Sequence, residues 1–338
     1  MLPVKIKHTN VLLLLILVVA AFLRFYQYGE WSLSNDELSA LSRLRFDSFG
    51  ELIERGVKIS DFHPAGIQVF LWYWTKLFGN GVWVIRLPFV VFGVLSVYFI
   101  FLIGKRWFNE TVGLLAAATF AVLQYPILYS QLARPYSPGL LFTLITVWFW
   151  TKIVFDKDKC LKDYLGFSVF AALTAYTHHY SFLFVVIVGI SGLFFLKGKN
   201  LWRYIFAGLA VGVLYLPHLD VFMYQFGIGG VGGEDGWLAK PYPNWIVGYV
   251  KYSVNGSWIS FLILFALGLV GYFISPEKKF TRFHWLSVLW FVLAFLIGYF
   301  YSIFRNPILQ FSILLFAFPF AILFLFSFYT DKASKIVR

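Results

Sequence analysis

Four short polar islands interrupt an otherwise apolar chain: Ser34-Asn35-Asp36-Glu37, Asp61-Phe62-His63-Pro64, Ser130-Gln131-Leu132-Ala133-Arg134-Pro135-Tyr136-Ser137-Pro138 and Thr177-His178-His179-Tyr180. A carboxylate in such an island can take the proton of an attacking hydroxyl. A guanidinium can grip an oxyanion through two parallel N–H bonds, and imidazoles can hydrogen-bond either partner. Each residue also has a structural reading. Asp36 stands where a helix begins, with Ser34 and Asn35 as competing caps. Arg134 can snorkel to lipid headgroups. His63, His178 and His179 can be satisfied helix-end residues, and Tyr136 an interfacial aromatic. An ionisable group at membrane depth costs roughly 3 kcal/mol unless something compensates, which weights the functional reading.

The composition dictates which elements must carry these islands. Of 338 residues, 60% are hydrophobic and only 13% charged, where a soluble domain carries roughly 25% charge. Apolar runs of the length needed to cross a hydrocarbon core predict spans near 10–27, 84–103, 111–129, 138–154, 164–179, 181–196, 203–219, 257–274, 283–303 and 308–328. The expected fold is all-α, a polytopic transmembrane helical bundle of about ten spans whose first outer loop carries surface helices. Gly66 to Phe78 is too short to cross and ends at Gly79-Asn80-Gly81, so it reads as an interfacial or half-inserted helix. The first run follows Lys5 and Lys7 but ends in Arg24, Tyr26 and Gln27 instead of a small-residue cleavage pattern, which predicts a retained anchor.

Charge then orients the bundle. Most of the 28 basic residues fall in alternate connections: Lys5 and Lys7; Lys105 and Arg106; Lys152, Lys157, Lys159 and Lys162; Lys197, Lys199 and Arg203; Lys278, Lys279 and Arg282; Lys332, Lys335 and Arg338. The positive-inside rule makes that side cytoplasmic and puts the N-terminus there, so all four islands face outward. Scattered basic clusters of this kind fit topology, and the net charge of +12 is not gathered into a nucleic-acid surface. One cysteine, Cys160, excludes an internal disulfide and a cysteine-ligated zinc site. A second outer segment, 220–256, combines the Gly227 to Gly236 stretch with Trp237, Tyr242, Trp245, Tyr249 and Tyr252; it reads as a mobile lid or a slack connection at the interface.

In chain order, Asp36-Glu37 in a long first outer loop, His63-Pro64 opening the next helix, Arg86-Leu87-Pro88 starting a span, Ala133-Arg134-Pro135-Tyr136-Ser137 and Thr177-His178-His179-Tyr180 resemble the elements of GT-C glycosyltransferases. The likeness is to those related to dolichyl-phosphate-mannose protein mannosyltransferases and to the bacterial aminoarabinose transferase acting on lipid A. It covers about residues 10–200, and again Asn306-Pro307-Ile308-Leu309 with the apolar run after it. The resemblance implies transfer of a sugar, with inversion, from a polyprenyl-phosphate carrier to an acceptor hydroxyl on the non-cytoplasmic face of a cell (inner) membrane. It implies Asp36 as general base, with Glu37 as the second candidate for that role or as a residue orienting the acceptor. Arg134 becomes the phosphate ligand, with Tyr136, His63, His178 and His179 around the substrate. Residues 1–200 then form the catalytic module, and 201–338 supply additional helices with the 220–256 loop. The implied partners are the lipid-linked sugar donor, a lipid or glycan acceptor and membrane lipids, with no nucleic acid.

Two departures from the family pattern matter. The 131–138 loop has no acid where some relatives carry one, so no metal site and no cofactor are expected, although a divalent ion stays open. Gln310-Phe311-Ser312 follows Pro-Ile-Leu where many relatives have arginine, which makes Arg305 the candidate replacement cation. A transporter or flippase of lipid-linked sugars is the competing class. It predicts ionisable groups or broken helices at midspan, whereas Pro126 and Pro217 lie near the outer ends of their spans.

Overall fold

The computed structural model describes residues 8–228, 237–276 and 278–330. Lys5, Lys7, Lys332, Lys335, Arg338 and most of the Gly227 to Gly236 stretch lie outside the described residues. The protein is helical, with no strand among the described residues. Helices α1 (His8–Phe25), α5 (Val82–Trp107), α6 (Glu110–Val122) and α8 (Tyr136–Phe155) pack side by side, and α9 (Leu161–Thr177), α10 (His179–Leu193) and α11 (Gly198–Tyr215) extend the array. α15 (Arg282–Phe304) closes on α10, and α16 (Phe318–Phe326) is wedged between α15 and α6. One apolar cluster runs from Ala20 to Phe326 through all of them.

The breaks have local causes. α6 stops at Val122, and α7 (Gln124–Ser130) restarts at 65° to it with Pro126 in its first turn, where the missing N–H is harmless. Carbonyls freed at the end of α6 are answered by the fully buried Arg24 of α1, which donates to Phe120 O at 3.1 Å and Ala121 O at 2.9 Å. α4 (Ala65–Phe78) is 14 residues long, about 21 Å, and ends at Gly79 with φ 91°. Gly66 lets α4 lie directly on α9, since a Cβ there would stand 2.4 Å from Tyr176 O. Between α1 and α4 the loop folds into α2 (Asn35–Ser42) and α3 (Phe49–Glu51), which runs on as a π-helix over Leu52–Ile59. α12 (Leu219–Gly227), α13 (Trp245–Ser253) and α14 (Trp258–Ile274) complete the described chain.

Two ends of the bundle differ in chemistry. At one, Lys105 pairs with Glu110 at 2.6 Å, and Arg106 with Asp156 and Lys152 with Asp163 link α5, α8 and α9. The four polar islands meet at the other. Among the described residues, five helices are long and apolar enough to cross a membrane, and up to seven if the bent pairs Glu110–Val122 with Gln124–Ser130 and Trp245–Ser253 with Trp258–Ile274 each count as one. The count of ten comes from apolar runs, which do not register where the backbone breaks. α9 and α10 have only 17 and 15 residues, and the 308–328 run divides into a 3-10 turn (Ser312–Phe316) and the nine-residue α16.

Candidate active site

Glu37 is the anchor of the polar end. It closes a capping box on α2, taking Ser34 N at 2.9 Å on Oε2 while Ser34 Oγ takes the Glu37 N–H. Arg86, in the first turns of α5, grips both its oxygens at 2.8 Å, and Ala133 N donates to Oε1 at 2.9 Å. Arg86 also donates to the carbonyls of Tyr28, Trp31 and Ser32. Both side chains are buried. Burial opposes ionisation of Glu37, but the Arg86 and backbone N–H bonds outweigh it and hold the carboxyl below its ordinary range. With every lone pair engaged, Glu37 locks the first loop to α5 and to the 130s segment.

That lock fixes its neighbour. Asp36 is exposed, and its carboxylate has no hydrogen bond or ion pair among the described residues. Its backbone carbonyl accepts from Arg134 Nη1 at 3.3 Å. Arg134 is 6% exposed, has no carboxylate partner among the described residues, and its buried Nε makes no hydrogen bond. Its Nη2 lies 3.2 Å from His63 Nδ1, which also lies 3.0 Å from Asp61 Oδ1. One nitrogen cannot donate to the acid and accept from the guanidinium together, so Arg134 is left with hydrogen-bonding capacity to spare.

Asp61 is the buried acid of the cluster. It accepts from Phe62 N at 2.8 Å and pairs with Arg43 at 3.0 Å. Burial raises its pKa, but the His63 hydrogen bond with the His63, Arg43 and Arg134 charges holds it below the usual value. Arg43 and Arg134 therefore share one buried carboxylate, Asp61, and the exposed Asp36 is the second negative charge acting on Arg43.

The other expected residues divide. His178 stacks edge-on to His63 at 5.2 Å, lies 6.1 Å from the Tyr136 ring, and caps α10 by accepting Tyr180 N at 2.9 Å through Nδ1. Tyr136 is flanked by Tyr129 at 4.7 Å. His179 points instead to Gln225 at 2.9 Å, and Gln225 donates to the carbonyls of Asp61 and His63 at 3.0 Å each. His179 thus braces the loop from behind. Arg305 is exposed at the C-cap of α15 and makes no ion pair or side-chain hydrogen bond among the described residues, so no contact joins it to the cluster. Three supports carried no signal in the sequence. Arg43 lies beyond α2, Gln225 beyond α11, and His218 receives Ala65 N at 2.9 Å, capping α4 from 153 residues away. No group of three His, Cys, Asp or Glu side chains that could hold a metal occurs among the described residues.

Helical bundle, short loop helices and this cluster at one end define a helical membrane protein, and its fold is similar to those of the solved structures that follow. Residues 62–222 match the family model described as dolichyl-phosphate-mannose-protein mannosyltransferase. By structure the chain is similar to ArnT from Cupriavidus metallidurans in the apo state, with a TM-score of 0.67, 14% identity, and coverage of 97% of this chain and 62% of that one. ArnT bound to undecaprenyl phosphate gives a TM-score of 0.66 at 15% identity over 95% of this chain and 60% of that one. The apo oligosaccharyltransferase of Archaeoglobus fulgidus gives 0.57 at 11% identity, covering 95% and 50%. This chain thus spans less than two thirds of the length of those proteins. A search of curated proteins by sequence returns no match.

Proposed function

We propose that the protein is a membrane glycosyltransferase that moves a sugar from a polyprenyl-phosphate carrier to an acceptor hydroxyl at the polar end of the bundle. The observation that carries this reading is Arg134, a buried guanidinium without a carboxylate partner, set beside the accessible Asp36. The donor phosphate takes the spare N–H groups of Arg134, which frees His63 Nδ1 to donate to Asp61. Asp36 removes the proton of the acceptor hydroxyl, whose oxygen bonds to the anomeric carbon as the carbon–oxygen bond to phosphate breaks on the opposite face. The configuration inverts, and the carrier leaves as polyprenyl phosphate with its added charge held by Arg134. His178 and Tyr136 form the wall beside the sugar. Glu37 orients the acceptor side indirectly, through Arg86 and the fixed α2 start. Undecaprenyl phosphate in ArnT, a protein of the same fold, supports a carrier of this class.

The cation-rich end supports a cytoplasmic assignment for that side and for the N-terminus, with the site on the periplasmic or outer face of the inner membrane and ten crossings in alternation. Residues 1–200 carry every proposed catalytic group. Mass spectrometry of lipid-linked glycans from cells with and without the gene tests the reading: loss of one glycosylated lipid or glycan, with its carrier-linked sugar accumulating, is expected. Identical profiles would sink it.

A further inference from the structure

A crevice of about 450 Å³ opens between α9 and α11 at the cation-rich end. The crevice follows the first turns of α9, and the remaining stretch from Ser168 to Thr177 puts about 14 Å of helix between it and the candidate active site. The two helices run in the same direction here and are stitched by Ser168 Oγ donating to Ala207 O at 2.9 Å. The crevice is lined by Lys159, Arg203 and Tyr164 at its mouth and by Leu165, Phe206 and Ala207 along its length.

The charges in it are not neutralised. Asp156 and Asp163 already belong to Arg106 and Lys152, and Asp158, next to Lys159 in the chain, makes no ion pair among the described residues. Lys159 spends one N–H on the Asp156 carbonyl at 2.6 Å, and Arg203 has no ion pair among the described residues. Tyr164 is 7% exposed, yet its hydroxyl makes no hydrogen bond. Leaving a buried hydroxyl unpartnered costs about 1–3 kcal/mol; this one belongs to a residue of the crevice lining and feels the Arg203 charge, and the two cations there select an anion. Below them Leu165 and Phe206 are exposed apolar side chains, an arrangement that suits acyl chains and no soluble anion.

We propose that this crevice binds an anionic phospholipid, its phosphate held by Arg203, Lys159 and the Tyr164 hydroxyl and its acyl chains lying along Leu165 and Phe206. The site requires only that the bundle sits in a bilayer and is independent of the reaction proposed above.

Native mass spectrometry of the detergent-purified full chain tests it, with phosphatidylglycerol, phosphatidylcholine, undecaprenyl phosphate and inorganic phosphate as probes. Phosphatidylglycerol should be retained over phosphatidylcholine, and Arg203→Gln and Lys159→Gln should each lower its retention about fivefold. Tyr164→Phe, which preserves the ring, should weaken it without unfolding the protein. Equal retention of the two phospholipids by the wild type, or unchanged retention in Arg203→Gln, overturns the proposal. Undecaprenyl phosphate displacing phosphatidylglycerol from the wild type but not from Arg203→Gln would make the crevice a carrier site instead. Competition by inorganic phosphate at equal concentration would reduce it to an anion site, and either result ends the phospholipid assignment.

Discussion

Asp36 and Glu37 are adjacent in sequence but face opposite worlds, and mutation should separate them. Asp36→Asn keeps size and cannot take a full proton, so turnover should fall about 10²-fold or more with stability unchanged. Near-normal transfer by the purified variant would remove Asp36 from the mechanism. Glu37→Gln strands the buried Arg86 and should instead cost about 3–5 kcal/mol of stability, visible as a lowered melting temperature. Arg134→Lys should keep part of the affinity for undecaprenyl phosphate and Arg134→Ala very little, because lysine retains charge but loses the fork. Unaltered binding in Arg134→Ala would reduce that residue to a headgroup contact. Acid acts on the same acids. Glu37 and Asp61 titrate below their unfolded values, so their stabilisation is complete above the ordinary carboxylate range and is lost as pH falls from about 4. Thermal unfolding scans should therefore decline below about pH 4, and less steeply in Asp61→Asn. The sequence displayed the islands because each is a run of polar residues among apolar ones. It hid their partners, since Glu37 meets an arginine 49 residues away and Arg43 has no periodic or motif signal.

Helix by helix, the pattern of apolar runs was legible and the breaks were less so. Gly66 to Phe78 stands out in the sequence as a short helix bounded by proline and glycine, and α4 occupies Ala65–Phe78. Its seat on α9 depends on a contact no pattern shows, the approach of Gly66 to the Tyr176 carbonyl. Gly66→Ala should force these helices apart and cost about 1–3 kcal/mol; calorimetry or thermal unfolding reads this directly, and a melting point equal to wild type would mean α4 is loosely held. The bend at Val122 was half legible, because Pro126 marks it, whereas in the sequence Arg24 is only the polar end of the first apolar run. Buried arginine at a helix terminus is a tertiary fact, dependent on which carbonyls another helix leaves unpaired.

Across the whole molecule, the two ends carry opposite tasks, and labelling can tell which compartment each faces. Cys160 is exposed at the cation-rich end, and Gly50 lies in open space near the other, where a cysteine meets no neighbour. An impermeant thiol reagent on intact cells should label Gly50→Cys in a Cys160→Ser background and spare Cys160 in the wild type. The reverse pattern would invert the topology. Synthesis order adds a consequence of the Glu37–Arg86 lock. Both partners are in the chain before Arg134 is made, and at about 5–20 residues per second the interval is roughly 2–10 s. On the function proposed above, the nascent protein would therefore complete its Glu37–Arg86 scaffold early and gain Arg134, its proposed phosphate ligand, late. In the reading proposed here, a half-translated chain already in the bilayer cannot spend the cell's activated sugar on water, since the cation that would hold the donor has not yet left the ribosome.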